Sequence, residues 1–574
     1  MDTVFLKEQV NECDSLFSNS PDCGIRGTSA LVLDLQTMES RVFDIPASWF
    51  NAYISGPSLG ARLWAEFCGP GCDDKNSFES DNPVVITGGA CTSQGMPFSE
   101  NTYFVYLSPQ NKKVTVNSVP SFLGARIQKC GYSALVLTGR LRRQTVIRID
   151  SPEPSFEVSE RFSMATTGEI EKSLNLSSSC SVLLSGPAAE KNVVFSMAVT
   201  DRSGTGRGGL GYVLGMKNLK ALVVSAAVKE NPDPQKYPKL CEYAAVFASG
   251  KTDIIRNANS LGWAPVNNYR LRTDPRLFFL SRDEITRTQG KPDFALDSQA
   301  VLMLGSNLGC YNPRTVVKRC AYALEMGLDP VSLGNILGYL KEAQERGMEI
   351  LPSKADFTDN EDFKALAGQI ISGTGFGQWA RNGLAELAAQ TGGEEFALCS
   401  EGMEFGACDV RGSFYQALSI ARGHWFFPYP ALYPYLCGKN CAGNFEYFES
   451  LSMGLESFGI SASILSPVLQ SLSEIKMRAC GRKTSLLKKT IKPELILQSM
   501  GLGKESDITS AGVRLRILLD SMNASMGRSG MNIPDYFTID PDSNYHKDSV
   551  VPFFDLCEQY SLSRRTSEAT LLNL

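Results

Sequence analysis

The sequence predicts an α+β fold in which a strand-rich N-terminal domain precedes two mainly α-helical domains. Short β-like runs separated by turn residues recur between residues 28 and 224. Beyond a proline-rich polar linker at 229–238, apolar residues recur at helical spacing instead. At 574 residues, the chain is long enough for about three domains of roughly 100 to 200 residues each. We therefore expect a polar, irregular N-terminal extension over 1–24, the strand-rich domain over 25–228, and helical domains over 229–410 and 411–574.

The strand candidates come first along the chain, and most of the helix candidates follow them. Runs rich in β-branched and aromatic residues, bounded by turns, predict strands at 30–35, 41–45, 83–87, 102–107, 113–116, 133–138, 145–149, 181–185 and 193–199. Helical spacing of apolar residues predicts helices at 51–67, 122–129, 321–326, 332–344, 363–371 and 378–390. Gly327 and Pro330 end the third of these helices, and Ser332 is a candidate cap for the fourth.

The composition is that of a globular protein, and it gives no sign of a nucleic-acid partner. A formal net charge of -5 and the lack of a clustered Lys/Arg stripe remove the electrostatic basis for such binding. Residues 1–10 carry acids and lack the apolar core of a secretory signal, and no apolar run has the length that spans a bilayer. We expect a cytoplasmic protein that does not associate with membranes.

Cysteine is frequent in this chain, whereas histidine is rare. Sixteen cysteines without an export signal are expected to be reduced thiols or metal ligands rather than disulfides. Two histidines, His424 and His546, are too few for a multi-histidine metal site. Cys68 and Cys72 are four positions apart, but no second pair of matched spacing lies nearby, so a metal clip and two buried thiols both remain open.

The stretch 201–224 is dense in glycine and carries several basic residues. Glycine backbones reach positive φ and bring N–H groups close to an anion, and guanidinium groups match phosphate oxygens. The glycines are Gly204, Gly206, Gly208, Gly209 and Gly211, and the basic residues are Arg202, Arg207, Lys217 and Lys220. The spacing is not that of a dinucleotide fingerprint or a Walker loop. From the residues alone, the stretch predicts either a site for a phosphate-bearing ligand or a turn packed beneath a sheet.

A set of ordered motifs resembles the tungsten-containing aldehyde:ferredoxin oxidoreductase family. The most specific pair is Gly-Arg-Gly-Gly-Leu-Gly at 206–211 followed by Gly-Met-Lys-Asn-Leu-Lys-Ala at 215–221. The other matching stretches, in the family's order, are 116–118, 131–139, 185–192, 327–332, 375–377, Glu404, 409–411 and 456–461. The resemblance extends roughly from residue 27 to residue 465.

The resemblance implies a bis-pterin tungsten (or molybdenum) cofactor, with Mg²⁺ between its phosphates, on the strand-rich domain. Asn117 and Gly204 fall where family members offer backbone groups near the magnesium. Asp329 and Glu456 fall in the two loops that approach the two pterins, where a carboxylate could accept pterin N–H groups; an exposed acid at a loop end is the alternative. The residues of the glycine-rich stretch that would face the pterin phosphates are Arg202, Arg207, Gly208, Gly209 and Lys217.

The cysteines that hold a [4Fe–4S] cluster in the family are missing here. Cys241 stands alone after the linker, and Met303 carries the only sulfur between residues 242 and 309. Ser461 occupies the later cysteine position; we count it among the cofactor-side candidates, although a hydroxyl is a poor iron ligand. We therefore expect no [4Fe–4S] cluster at the usual place. Cys437 and Cys441 could hold a relocated cluster, and two buried thiols are the alternative.

The acid/base residues implied by the resemblance have also changed. Gln299 stands where the family has a glutamate, and an amide can form hydrogen bonds but cannot act as a base. His424 lies close to a family histidine and is either an acid/base group near the metal or a packed histidine. A family arginine that reaches the phosphate bridge is replaced near Asn101 and Thr102, which leaves Arg202 and Arg207 to supply positive charge.

Two functions remain open at this point. The first is a tungsten or molybdenum oxidoreductase that acts on a small aldehyde or related carbonyl and passes electrons to a separate electron-transfer protein. The second is a non-catalytic or cofactor-binding paralogue that keeps the fold and partners an active oxidoreductase subunit. In both cases we expect an oligomer.

Overall fold

Two six-stranded sheets form the N-terminal part of the protein, and helices dominate the part that follows, which confirms the α+β class. The computed structural model describes residues 3–18, 20, 28–72, 78–92, 94–150, 153–248, 292–407, 441–465 and 505–528. The expectations for His424, for Cys437 and for the motif at 409–411 lie outside these residues.

The first sheet has the strand order β2-β1-β6-β3-β4-β5. Its strands are β1 (Ser29–Asp34), β2 (Glu39–Asp44), β3 (Val84–Gly88), β4 (Asn101–Leu107), β5 (Val114–Pro120) and β6 (Tyr132–Thr138). The pair β1 and β6 is parallel, and the other neighbouring pairs are antiparallel. All seven residues of β4 are buried. Because successive side chains of a strand point to opposite faces, both faces of this sheet are covered at β4.

The second sheet has the strand order β11-β10-β9-β12-β7-β8, and a two-stranded hairpin lies further along the chain. The pair β7 and β12 is parallel, and the other neighbouring pairs are antiparallel. The strands are β7 (Thr145–Ile149), β8 (Ser155–Val158), β9 (Cys180–Ser185), β10 (Ala198–Thr200), β11 (Ser203–Gly204) and β12 (Leu219–Ser225), and the hairpin consists of β13 (Cys399–Ser400) and β14 (Met403–Glu404).

The described helices pack around the sheets and contain most of the described residues after residue 229. The helices are α1 (Thr3–Leu16), α2 (Ala47–Tyr53), α3 (Gly56–Phe67), α4 (Phe78–Asp81), α5 (Leu123–Lys129), α6 (Thr167–Leu174), α7 (Pro187–Glu190), α8 (Leu210–Met216), α9 (Pro238–Ala248), α10 (Ser298–Leu304), α11 (Pro313–Met326), α12 (Pro330–Glu345), α13 (Asn360–Ser372), α14 (Gly377–Ala380), α15 (Leu384–Thr391), α16 (Cys441–Ser457) and α17 (Glu505–Ser525). Within the described ranges, no helix combines the length and the apolar character needed to cross a bilayer.

The carboxylate of Asp201 joins the two sheets. Its Oδ2 atom accepts hydrogen bonds from Ser121 Oγ (2.8 Å) and Phe122 N (3.1 Å), which follow β5 in the first sheet. The same atom accepts from Ser181 Oγ (2.9 Å), on β9 of the second sheet. Asp201 itself lies between β10 and β11 and has φ 47°. This contact fixes the start of the glycine-rich stretch relative to both sheets.

The predicted strand at 193–199 is wrong for most of its length. Two backbone N–H groups of this segment pair with the helical part of the chain: Val194 N donates to Arg381 O (2.8 Å), and Met197 N donates to Gly327 O (2.8 Å). Asp329 N in turn donates to Phe195 O (3.3 Å). The segment therefore brings the beginning of α12 to the end of the strand-rich domain.

The predicted irregular structure of the N-terminal extension is wrong over residues 3–16, which form helix α1. Leu6, Val10, Cys13 and Phe17 are buried, and their spacing of four, three and four residues is that of one helix face. The helix packs against α17 and α3, and Asp14 forms an ion pair with Arg62 (3.0 Å). The N-terminal segment is thus part of the main hydrophobic core.

Removing apolar volume from the buried face of α1 is expected to destabilise the protein. Leu6 is 0% exposed, so Leu6→Ala should lower the free energy of unfolding by about 2–5 kcal/mol through lost burial and a residual cavity. The neighbouring Phe5 is 45% exposed, and Phe5→Ala should change it by no more than about 0.5 kcal/mol. Chemical unfolding of both variants measures the difference, and equal effects would contradict the packing of α1.

Candidate functional site

The glycine-rich stretch follows β11 as a loop in which three glycines have positive φ. Gly206, Gly208 and Gly209 have φ of 82°, 100° and 79°. A Cβ atom at Gly209 would lie 2.4 Å from Val194 O, and one at Gly208 would lie 3.0 Å from Tyr106 Oη. These two positions therefore exclude larger residues by contact as well as by conformation. Gly204 ends β11, where a Cβ would lie 2.5 Å from Met197 Sδ.

Gly206 differs from its neighbours because the space beside it is open. A Cβ atom built on Gly206 would meet no atom of the described residues within 4 Å. The need for glycine here comes from the positive φ and not from a contact inside the protein. The loop thus presents an open backbone face at Gly206, of the kind that a ligand can approach closely.

Arg207 attaches this loop to the helical part of the chain. Its guanidinium forms ion pairs with Asp329 (Nε to Oδ2, 3.5 Å) and with Glu404 (Nη2 to Oε2, 3.6 Å), and it donates a hydrogen bond to Glu404 O. The Arg207 side chain is 15% exposed, and both carboxylates are buried. Two negative groups therefore balance the charge of Arg207.

Asn117 reaches the same loop through Tyr106. Asn117 Nδ2 donates to Tyr106 Oη (3.0 Å), and Tyr106 Oη donates to Arg207 O (3.3 Å). Burial raises the pKa of Tyr106 above its ordinary value, so its hydroxyl keeps the proton that it donates. Asn117, Arg207 and Asp329, which are far apart in sequence, are thus linked by a continuous series of contacts.

The carboxylate of Asp329 caps α12. Its Oδ1 atom accepts a hydrogen bond from Val331 N (3.1 Å). Its Oδ2 atom accepts from Ser332 N (3.1 Å) and Ser332 Oγ (2.6 Å) and also pairs with Arg207. This arrangement satisfies the free N–H groups at the start of the helix and fixes the orientation of the carboxylate.

The carboxylate of Glu456 lies at the end of α16 and is held against the first sheet. Its Oε2 atom accepts hydrogen bonds from Tyr103 Oη (2.7 Å), Ser118 Oγ (3.1 Å) and Asn101 Nδ2 (3.4 Å). Its Oε1 atom accepts from Ala462 N (2.9 Å). Burial raises the pKa of Glu456, and the four hydrogen bonds oppose that effect.

Asp329 and Glu456 present their carboxylates in the same way. In each of them the described residues contact one oxygen through several donors and the other oxygen through a single backbone N–H. A carboxylate oxygen has two lone pairs, so Asp329 Oδ1 and Glu456 Oε1 each keep an acceptor position. The donor and acceptor chemistry therefore fits a ligand that brings an N–H group to each acid, as a pterin does.

Two basic residues of the stretch make their contacts elsewhere. Arg202 is 53% exposed and pairs with Glu171 (3.4 Å) and Asp293 (3.4 Å). Lys217 follows α8 at its far end and donates to Gly139 O (2.8 Å) inside the core. The structure brings neither side chain to Arg207, so a role for Arg202 and Lys217 at a cofactor stays a prediction.

The remaining candidates occupy local hydrogen-bond networks. Gln299 Oε1 accepts a hydrogen bond from Ala407 N (3.2 Å), three residues after Glu404. Ser461 Oγ contacts Ser463 Oγ (2.9 Å) and accepts from Ser463 N (3.3 Å). Cys68 and Cys72 are both buried. In the part of the chain that the structure describes, no group of three or more His, Cys, Asp or Glu residues is arranged to hold a metal ion.

Sequence reasoning did not identify Gln110 as part of this site. Its side chain accepts from Gly208 N (2.9 Å) and donates to Glu404 Oε2 (3.3 Å). Gln110 lies in the turn between β4 and β5, where a polar residue is ordinary. In the sequence, Glu404 is one of the positions that match the family, but that match does not indicate which residues it contacts.

The pH dependence of stability is expected to change in Glu456→Gln. Because burial raises the pKa of Glu456 in the folded state, the folded protein holds this proton more tightly than the unfolded chain does. The resulting stabilisation is complete below the pKa of the unfolded chain and is lost as pH rises through the folded pKa. The wild type should therefore lose stability relative to the variant as the pH rises from about 4, near the ordinary pKa of glutamate, through the raised pKa of folded Glu456.

Urea unfolding at several pH values measures this difference. The exposed Glu361 provides the control, because Glu361→Gln should follow the wild type at every pH. A constant difference between the wild type and Glu456→Gln across the range would contradict the expected coupling of Glu456 to pH.

Two family models match this chain, one over the sheets and one over the helices that follow them. The model of the aldehyde ferredoxin oxidoreductase N-terminal domain matches residues 30–226, and the model of domains 2 and 3 of the same family matches residues 281–424. The two matches together cover more than half of the chain. They follow one another in the family's own order.

Individual relatives agree with the two family matches, at sequence identities of 22–24%. The tungsten-containing aldehyde ferredoxin oxidoreductase of Pyrococcus furiosus is 24% identical over 434 residues, which are 68% of this chain and 71% of that protein. The enzyme of the same name from Thermococcus kodakarensis is 22% identical over 436 residues, with coverage of 68% and 71%. The aliphatic sulfonate oxidoreductase, WOR-like subunit, of Pyrococcus furiosus is 22% identical over 418 residues, with coverage of 62% and 66%.

A solved structure shares the fold. The active-site complex BamBC of benzoyl-coenzyme A reductase, in complex with 1,5-dienoyl-CoA, superposes with a TM-score of 0.69 at 16% sequence identity and covers 94% of each chain. At this identity the similarity concerns the fold alone. From the two family matches and the relatives that agree with them, we conclude that this chain belongs to the aldehyde ferredoxin oxidoreductase family.

Proposed function

We propose that this chain is a bis-pterin tungsten (or molybdenum) oxidoreductase with Mg²⁺ at the pterin phosphates and without a [4Fe–4S] cluster at the usual position. The observation that carries the proposal is the contact path from Asn117 through Tyr106 and Arg207 to Asp329. These positions come from separate motifs of the family, and the fold joins them at one open loop.

The residues present suit such a cofactor. The open backbone at Gly206 leaves room for a phosphate, and Gly206 and Gly209, which have positive φ, can aim their N–H groups at an anion, whereas Gly208 N is held by Gln110 Oε1. Asp329 Oδ1 and Glu456 Oε1 would accept pterin N–H groups. Because two carboxylates balance Arg207, backbone N–H groups rather than guanidinium charge would provide most of the phosphate recognition. When bound, the cofactor supplies the redox chemistry, and the protein holds and orients it.

Electron transfer is proposed to require a second protein. The family's four cluster cysteines are absent from the matching positions of the sequence, and Ser461 forms hydrogen bonds with Ser463 instead. Electrons would therefore leave through a separate electron-transfer protein or a partner subunit. One relative carries the word subunit in its name, which is consistent with a multi-chain arrangement. The substrate would be a small aldehyde or related carbonyl, as the names of the other relatives suggest.

A cofactor-binding paralogue without catalysis of its own is the second candidate. The observation that favours it is Gln299, whose amide cannot act as a base and whose Oε1 is bound to Ala407 N. If the chain is catalytic instead, His424 would be its remaining acid/base group.

Metal and pterin analysis of the protein purified from a host grown with tungstate tests the proposal. We expect about one tungsten or molybdenum per chain, releasable pterin and almost no iron. About four irons per chain would contradict the absence of a cluster. The lack of both metal and pterin would contradict the proposed function, whereas a loaded protein that oxidises no aldehyde with an added electron acceptor would favour the paralogue.

Filling the open face at Gly206 is expected to weaken cofactor retention. Gly206→Ala adds a methyl group where the phosphate is proposed to approach, and Gly347→Ala is the matched control. Gly347 has φ 80°, and a Cβ there would also meet nothing within 4 Å. Both variants carry a similar strain of roughly 1 kcal/mol. Pterin content should fall at least about tenfold for Gly206→Ala alone, a difference of about 1.4 kcal/mol; equal content in the two variants would contradict the site.

A further inference from the structure

We infer that Glu404 is a positioning residue that couples the glycine-rich loop to the capped start of α12. This inference rests on the proposed function, because the loop and Asp329 are the two halves of the proposed cofactor site. Neither the composition nor the family resemblance assigns a role to Glu404.

Glu404 lies at the end of the β13–β14 hairpin, and its side chain is completely buried. Its Oε1 atom accepts a hydrogen bond from Leu384 N (3.0 Å), at the start of α15. Its Oε2 atom accepts from Gln110 Nε2 (3.3 Å), lies 2.7 Å from Ser332 Oγ and pairs with Arg207 (3.6 Å). One buried carboxylate thus contacts both the strand-rich domain and the helical part of the chain.

The first connection runs to the glycine-rich loop through Gln110. A glutamine amide has an acceptor at one end and donors at the other, so its orientation depends on what each end faces. Glu404 accepts from the nitrogen end of Gln110, and this leaves Gln110 Oε1 to accept from Gly208 N (2.9 Å). The carboxylate of Glu404 therefore sets the orientation of the side chain that holds the loop amide of Gly208.

The second connection runs to Asp329 through Ser332. The hydroxyl oxygen of Ser332 lies 2.6 Å from Asp329 Oδ2 and 2.7 Å from Glu404 Oε2. Arg207 pairs with both acids and supplies the positive charge that their burial requires. The loop and the cap are consequently held in one arrangement by a single buried group of side chains.

The substitution Glu404→Gln keeps the size of the side chain but changes its charge and its hydrogen bonding. It therefore tests the positioning role of Glu404 separately from its packing. Both oxygens of Glu404 accept hydrogen bonds, so either orientation of an amide sets its NH2 group against at least one donor. The amide also removes one of the two charges that balance Arg207. Where the NH2 group faces Gln110, Gln110 loses its acceptor and Gly208 N loses the partner that depends on it.

Hydrogen exchange of the peptide that spans residues 204–211 measures this effect without requiring a bound cofactor. In Glu404→Gln we expect exchange of this peptide to accelerate at least about tenfold. The matched control is Glu401→Gln, which removes the ion pair between Glu401 and Lys113 (2.6 Å) from the same hairpin and the same β4–β5 turn. In the control, exchange should stay within about twofold of the wild type.

A second variant keeps the inference testable if Glu404→Gln does not fold. Gln110→Ala removes the link between Glu404 and Gly208 and leaves the carboxylate in place, and it should accelerate exchange of the same peptide. The inference is overturned if the loop of Glu404→Gln or Gln110→Ala exchanges like the wild type. It is equally overturned if Glu401→Gln accelerates exchange as much as they do.

Pterin content of the same proteins provides the functional readout. It should fall at least about tenfold in Glu404→Gln and Gln110→Ala, a difference of about 1.4 kcal/mol, and remain unchanged in Glu401→Gln. A wild-type protein without pterin would contradict the proposed function, and hydrogen exchange would still decide whether Glu404 positions the loop. A variant that keeps its pterin although hydrogen exchange of its 204–211 peptide is accelerated would show that positioning by Glu404 is not needed for cofactor retention.

Discussion

The arrangement of the candidate site depends on one buried positive charge held between two carboxylates. Arg207 leaves the glycine-rich loop of the strand-rich domain and meets Asp329 and Glu404 from the helical part of the chain. A buried guanidinium is tolerated only when it is paired, and losing one partner leaves an uncompensated charge that is costly to bury. The pairing therefore fixes the loop against α12 and β14, and the other contacts of the site follow from that position.

Much of the fold could be predicted from local patterns. Alternation and turn residues located the six strands of the first sheet and β7 and β9 of the second, and helical spacing located α12, α13 and the C-terminal part of α11. The predicted helix at 378–390 is interrupted because Gly383, with φ 103°, separates α14 from α15. The segment 193–199 was mistaken for a strand because its backbone partners, Arg381 and Gly327, lie in a distant part of the chain. Pairings between such distant residues cannot be predicted from the local sequence pattern.

Part of the candidate site could be predicted from the sequence. The rest could not, because it too depends on contacts between residues that are far apart in the chain. The positive φ of Gly208 and Gly209 follows from the glycine pattern. The predicted cap of α12 at Ser332 is wrong, because Asp329 caps the helix from the Asp-Pro step that precedes it. The contact between Gln110 and Glu404 spans 294 positions and has no local signature. Basic residues in one stretch were expected to act together, but the fold directs Arg202 and Arg207 to different acidic partners.

These features describe a family member in which Arg207 ties the glycine-rich loop to the cap of α12. We propose that a metal cofactor binds beside Gly206 and Asp329. Anomalous diffraction from crystals of the natively loaded protein tests it most directly. A tungsten or molybdenum peak beside Gly206 and Asp329, with no iron peak near Ser461, is the predicted result. An iron peak near Ser461, or a heavy-metal site away from the loop, would contradict the account.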